Sequence, residues 1–170
     1  PKECFHFGAQ TAVITHGHPS GYLSAGALAL IIRVILGGSS IIEASQNALS
    51  ELANWPDHEE TATAIDHAIT LSDTSRTPAP EDVAKLGEGW VGEEALAIGL
   101  FSALVANSYS EAIILAANHS GDSDSTASIA GQIYGAKNQV AGIPENWIKQ
   151  LDVYDPFSRL IDAFIFNQPT

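Results

Sequence analysis

The chain has 170 residues, 45% of them hydrophobic and 16% charged, and its 7 Lys+Arg against 20 Asp+Glu give a formal charge of −13. Residues 34–136 hold fifteen acidic side chains and two basic ones, Arg76 and Lys85, so the deficit lies in the middle of the chain. That balance excludes a phosphate-tracking nucleic-acid surface, which needs clustered Lys and Arg to release counterions, and a basic membrane-binding face.

Small and apolar residues recur at helical spacing and β-branched alternation is nearly absent, so an all-α chain is predicted. The first helix carries Phe5, Ala9, Ala12 and Val13 on one stripe and stops at His16-Gly17-His18-Pro19, where glycine and proline break it. Its Cys4 is the only cysteine, so no intrachain disulfide forms and a reducing, cytoplasmic setting is expected. A second helix from about Tyr22 to Leu36 is apolar nearly all round and therefore central. Its most apolar stretch, Leu28 to Leu36, contains Arg33 and falls short of the roughly 20 residues of a bilayer span. Ser40 reads as the N-cap of a helix bearing Ile42, Ala44, Ala48, Leu49 and Leu52. Glu59 to Leu71 repeats the pattern.

Ser72 to Gly89, rich in Pro, Ser, Thr and Gly, is predicted to be a mobile loop with one short helical turn. Glu93–Ala106 and Glu111–Asn118 come next as apolar helices, and Asp122 opens another to about Lys137. Pro144 fits the N1 position of a helix over Glu145–Leu151, and a last helix over Pro156–Phe166 carries Phe157, Leu160, Ile161, Phe164 and Ile165. No methionine occurs, even at position 1, so the chain is not expected to begin at a translation start. No secretory leader pattern is seen.

Three constellations carry possible chemistry. In Asn118-His119-Ser120-Gly121-Asp122-Ser123-Asp124-Ser125-Thr126, two carboxylates one residue apart and a following hydroxyl place hard oxygens on one helical turn, which suits Mg²⁺, Mn²⁺ or Ca²⁺. The same residues equally describe an acidic N-cap complementing the helix dipole. His16-Gly17-His18, with His119, contains enough imidazole for a zinc set, but a polar substrate contact or a capping role suits a helix end better. Leu86-Gly87-Glu88-Gly89-Trp90 combines two permissive glycines with a flat aromatic face for stacking. Its other reading is a hinge with Trp90 tucked into the core. Gly131 and Gly135 mark a close helix crossing. No nucleophile elbow, P-loop or dinucleotide fingerprint occurs, which leaves metal-activated water as the hydrolytic candidate.

The run from His16 to Gly26 (HGHPSGYLSAG), then Leu86–Val91 with Glu94-Ala95-Leu96-Ala97, then Asn118–Thr126, Gly131, Gly135-Ala136 and Ile143-Pro144 with Trp147, keeps the order found in bacterial ADP-ribosylglycohydrolases. The chain resembles that family, which includes the glycohydrolase that reactivates dinitrogenase reductase, over nearly its whole length. The resemblance implies an all-helical orthogonal bundle and a hydrolase removing ADP-ribose from a protein side chain or small acceptor, with two divalent cations, Mg²⁺ or Mn²⁺. It implies Asp122, Asp124 and Ser125 as metal ligands, the two aspartates being the catalytic pair. His16 would lie against ADP-ribose, with Gly87, Gly89 and Trp90 lining the adenosine side.

Family members are longer, and their upstream half carries a Thr-Asp-Asp-Thr metal motif, whereas this chain has no Asp-Asp dipeptide. Residues 1–170 therefore read as the C-terminal portion of one such domain, inactive alone and completed by an absent upstream half or a companion chain. Two other readings stand beside the hydrolase: a non-catalytic ADP-ribose-binding or interaction module, and an acidic helical protein whose Asp122/Asp124 pair only caps a helix.

Overall fold

The computed structural model describes residues 2–75 and 77–166, and the side chains of Ile165 and Phe166 lie outside the described set. Among the described residues ten α-helices succeed one another: α1 Lys2–Val13, α2 Pro19–Leu36, α3 Ile41–Leu52, α4 Glu59–Thr74, α5 Pro80–Val83, α6 Gly92–Val105, α7 Tyr109–Ala117, α8 Ser123–Asn138, α9 Glu145–Lys149 and α10 Tyr154–Phe166. Single 3₁₀ turns lie at Ala84–Leu86 and Val140–Gly142, and no strand occurs among the described residues.

α6 is the axis. Every residue from Ala95 to Ala103 is buried, with α2, α4, α7 and α8 packed around it. Leu96, Ile98, Leu100 and Phe101 are almost wholly removed from water, each stabilising the fold by about 1.5–3 kcal/mol. Close approach depends on small residues: a side chain on Gly99 would run into Ile129 and the backbone of Ala130 on α8. Gly8 of α1 lies similarly against the backbone of α2 at Ala25 and Gly26. The Gly131–Gly135 spacing marks a close crossing as expected: a Cβ on Gly131 would stand 2.9 Å from the Tyr109 hydroxyl of α7.

The helices share a direction that matters for the site. Gly92, opening α6, packs against Ser20, Gly21 and Ser24 of the first turns of α2. His18, preceding α2, approaches Glu60 of the first turn of α4 at 3.8 Å. Residues 87–90, leading into α6, touch the start of α8. At the opposite end, Pro78 and Pro80 beyond α4 share a groove with Val105, the last residue of α6, and Ala106 and Asn107 after it. The even-numbered helices α2, α4, α6 and α8 thus start at one end, and α1, α3 and α7 return the chain to it.

Several boundaries differ from expectation for identifiable reasons. α2 starts at Pro19, three residues early, because the His18 ring accepts the Ser20 N–H and Pro19 takes N1. At 18 residues and mean hydropathy 1.6, α2 is the one described helix whose length and composition match a membrane crossing; eight of its residues are buried against the fold. Ser40 caps α3 through a capping box with Glu43, and its bonds hold the Glu43 carboxyl below the usual carboxylate range. Val13 turns outward, leaving Phe5 and Ala9 as the buried part of the α1 stripe. Pro144 sits at the N-cap of α9 rather than inside it, and α10 begins two residues before Pro156. α10 shows its apolar face, with Tyr154, Phe157, Leu160, Ile161 and Phe164 exposed; the side chain of Ile165 is outside the described residues.

The Ser72–Gly89 stretch is more structured than a loop. α4 continues through Thr74, and Asp82 ties down the segment beyond it: Ser75 Oγ and the Ala79 N–H donate to Oδ2, and Lys85 Nζ to Oδ1 at 2.7 Å. Val83 and Leu86 are buried beneath. Lys85 first, then Ser75, holds the Asp82 carboxyl below its ordinary range. A carboxylate lowered in the folded state stabilises above its unfolded pKa and loses that contribution as pH falls through the folded one. Backbone amides of residues 77–86 are therefore expected to lose exchange protection on acidification, and Asp82→Asn to show the weaker protection at every pH. Gly99→Val is expected to lower the urea midpoint at unchanged m. The loss should lie toward the upper end of the roughly 1–3 kcal/mol of overpacking, since valine recovers little helix propensity.

Candidate active site

The end at which α2, α4, α6 and α8 begin gathers the residues singled out from sequence. Each helix start exposes unpaired N–H groups and the positive end of its dipole. Acidic residues occupy three of the first turns: Glu59 and Glu60, Glu93 and Glu94, and Asp124 with Asp122 at the N-cap.

Asp122 stands at the N-cap of α8, yet its side chain makes no capping hydrogen bond. The local bonds run through its neighbours. Ser123 Oγ donates to the carbonyls of His119 and Gly121, and the buried Thr126 hydroxyl donates to Ala116 O at 2.7 Å. His119 closes this turn from both sides: its Nδ1 accepts the Gly121 N–H at 3.1 Å, so the proton sits on Nε2, which donates to Thr126 Oγ1 at 3.0 Å. With both ring nitrogens engaged, His119 holds the loop and is no metal ligand. The capping reading of Asp122 therefore has no bond behind it, and Asp122, Asp124 and Ser125 keep their oxygens uncommitted to this turn.

The glycine loop fits against that turn. Gly87 has φ +113° and Gly89 φ +79°, which favour glycine at both positions. The Asp122 N–H donates to Glu88 O at 2.8 Å, and a Cβ on Gly121 would fall on that carbonyl. Gly89 is buried, its α-carbon close enough to Thr126 that an added Cβ would come within 2.8 Å of Thr126 Cγ2. Trp90 is 66% exposed, so the tucked-in alternative is excluded, and its Nε1 donates to Glu88 Oε2 at 3.1 Å. Gly87, Glu88, His119 and Ser120 share one wall of a groove whose other wall is Pro80, Glu81 and Ala84. Asp124 lines a second, shallower groove with Tyr109, Ser128, Gln132 and Trp147.

His16 closes the end of α1. Its Nδ1 bonds Thr15 Oγ1 at 2.8 Å, and its Cβ lies against Gly21, the residue that touches Gly92. His18 is a capping group. The three histidines do not converge: among the described residues, no group of three or more His, Cys, Asp or Glu is placed to hold a metal ion. Hard oxygens of the right kind are present at Asp122, Asp124 and Ser125, but they are too few to fill a divalent cation's shell without water or donors from elsewhere.

Two residues of this end stand in the family motifs but were given no role from sequence. Glu94 accepts hydrogen bonds from the Glu88 and Gly89 N–H groups at 3.1 and 3.0 Å; its other sequence signal was a glutamate at N3 of a helix. Thr126 sits fully buried under the acidic turn, recognisable only as a hydroxyl on the apolar face of α8. Thr126→Val, nearly isosteric, strips His119 Nε2 and Ala116 O of their partner. It is expected to destabilise the protein by about 1–3 kcal/mol in chemical denaturation and to raise exchange at the Gly121 and Asp122 amides.

Two curated proteins match part of the chain. ADP-ribosylarginine hydrolase Tri1 of Pseudomonas putida (strain GB-1) is 38% identical over 76 residues, covering 45% of this chain and 20% of that protein. ADP-ribosylarginine hydrolase Tri1 of Serratia proteamaculans (strain 568) is 35% identical over 63 residues, covering 37% and 17%. The matched stretches thus span a fifth or less of either relative. The family model described as ADP-ribosylglycohydrolase matches residues 1–169, which lends no support to the expectation that a C-terminal half alone is present. On that match, and with an all-helical fold that gathers the acidic turn and the glycine loop at one end, the chain belongs to the ADP-ribosylglycohydrolase family.

Proposed function

We propose that the protein acts in hydrolysis of the bond between ADP-ribose and an acceptor, with modified arginine as the first acceptor to test. The observation that carries this reading is the acidic turn itself: Asp122 at a helix N-cap makes no capping bond, beside a glycine loop hydrogen-bonded to the same residue. Family membership supports the reaction class, and the names of the two relatives support the acceptor.

Asp122, Asp124 and Ser125 would hold a divalent cation, Mg²⁺ or Mn²⁺, whose oxygen preference fits them. Bound there, the cation would supply charge to the sugar hydroxyls and make a water more acidic. The remaining tasks fall to the chain. Converging helix N-termini offer N–H groups and positive dipole ends to a pyrophosphate. Exposed Trp90 offers a face on which an adenine can stack, with Gly87 and Gly89 allowing the backbone to come near. His16, bonded through Nδ1 to Thr15, would offer Nε2 to the ligand. Because Asp122, Asp124 and Ser125 provide three oxygens, we assign the remaining donors to water and to another segment or companion chain. A cytoplasmic setting belongs to the same proposal.

The non-catalytic binding module is the alternative, favoured by that short donor set. Calorimetry with Mn²⁺, and release of ADP-ribose from ADP-ribosylated arginine, decide between them. Asp124→Ala is expected to lower Mn²⁺ affinity by more than about tenfold, or 1.4 kcal/mol, and to abolish release without changing the unfolding midpoint. ADP-ribose binding without release would establish the module instead, and no response to either ligand would leave an acidic helical protein.

A further inference from the structure

We infer that Glu94 is a positioning residue whose carboxylate latches the Gly87–Trp90 loop and, through the peptide joining Glu88 and Gly89, fixes the start of α8 at Asp122. Glu94 is the third residue of α6. A glutamate at that position ordinarily folds back onto the N-cap amide. Here the carboxylate reaches further, and a single oxygen, Oε2, accepts the N–H groups of Glu88 at 3.1 Å and Gly89 at 3.0 Å. The N–H of Gly89 and the C=O of Glu88 belong to one planar amide. Its nitrogen side is held by Glu94, and its oxygen side accepts the Asp122 N–H at 2.8 Å. A charged acceptor on one side of a peptide strengthens the hydrogen bond made on the other.

Packing leaves the latch little slack. A Cβ on Gly87 would fall inside the Glu94 carboxyl, and one on Gly121 would fall on Glu88 O. Gly89 is pressed against Thr126, which anchors the acidic turn from beneath. The path from Glu94 to Asp122 is therefore one carboxylate, one peptide and one amide, with no solvent-spanning step. Glu94 touches no proposed ligand itself; it acts by holding the loop and the turn in register. The consequence for cation binding rests on the function proposed above, whereas the latch stands on geometry alone.

Site-resolved amide exchange and Mn²⁺ calorimetry on the full chain test this with Glu94→Ala and Glu94→Gln. Glutamine keeps an oxygen that can accept both N–H groups, and alanine does not. Glu94→Ala is expected to speed exchange at Gly89 and Asp122 by about tenfold or more, to leave the amides of Leu96–Phe101 as in the parent, and to weaken Mn²⁺ binding. Glu94→Gln should restore most of both. Asp122 protection unchanged in Glu94→Ala would overturn the proposal, as would loss spread evenly through α6, which marks a general helix defect. If the parent binds no Mn²⁺, the proposed function fails while exchange at Asp122 still judges the latch. Should Glu94→Ala not fold, Glu94→Asp, too short to reach both amides, replaces it in the same comparison.

Discussion

The nine buried residues of α6, Ala95 to Ala103, set the geometry that the site depends on. A helix surrounded on every side must let its neighbours come close, so it alternates bulk with Ala97, Gly99 and Ala103 and carries no charge along that length. Its own ends then have to emerge at the surface. At the N-terminal end, Gly92 lets α2 pack directly on the first turn, and the residues just before it are forced across the start of α8. The glycine loop lies beside the acidic turn because α6 cannot be buried there without bringing its entry segment to that place.

Shared helix direction adds an electrostatic consequence. Four N-termini at one end sum their positive partial charges, and the chain answers with acidic first turns on α4, α6 and α8. Two carboxylates at this end are employed: Glu94 by two backbone amides and Glu88 by the Trp90 indole. Asp122 and Asp124 have no such employment in the acidic turn. In a protein of net charge −13, a cation held there, as proposed above, would offset part of that charge. Under the function proposed above, helix dipoles and a bound cation would supply the positive side that Lys and Arg do not.

Helix content and order were legible because period-3.6 patterning marks α3 and α10, while the central α2 and α6 show as long apolar runs bounded by glycine and proline. The Ser40 cap was legible because a capping box acts over three positions. The features that escaped depend on contacts far apart in sequence. Nothing local in SDTSRTPAPEDVAKLGEGW shows that Asp82 will gather Ser75, Ala79 and Lys85 and turn a loop into packed structure. A tryptophan after glycine goes inward or outward with equal ease, and only the neighbouring Glu88 carboxylate and the crowded Thr126 contact decide for Trp90. The histidines read more as capping and contact groups than as a zinc set, and His18 and His119 are indeed spent on caps and loop clamps.

The candidate ligands and the residues that hold them in place thus obey different rules of visibility. Asp122, Asp124 and Ser125 form a compact pattern within four positions, the kind of spacing a single cation site would require. Glu94, Gly87, Gly121 and Thr126 need only satisfy one another across the contact between α6 and α8, and their spacing is set by where two helices cross. Placing Asp122 requires both layers. A carboxylate at a frayed helix start would lose the advantage of being preorganised, since each cation bound would first have to order the turn. His119 and Thr126 fix that turn from within, and the peptide between Glu88 and Gly89 fixes it from α6, the most deeply buried helix of the fold. The rigidity of the core is in this way delivered to the acidic turn beside the glycine loop.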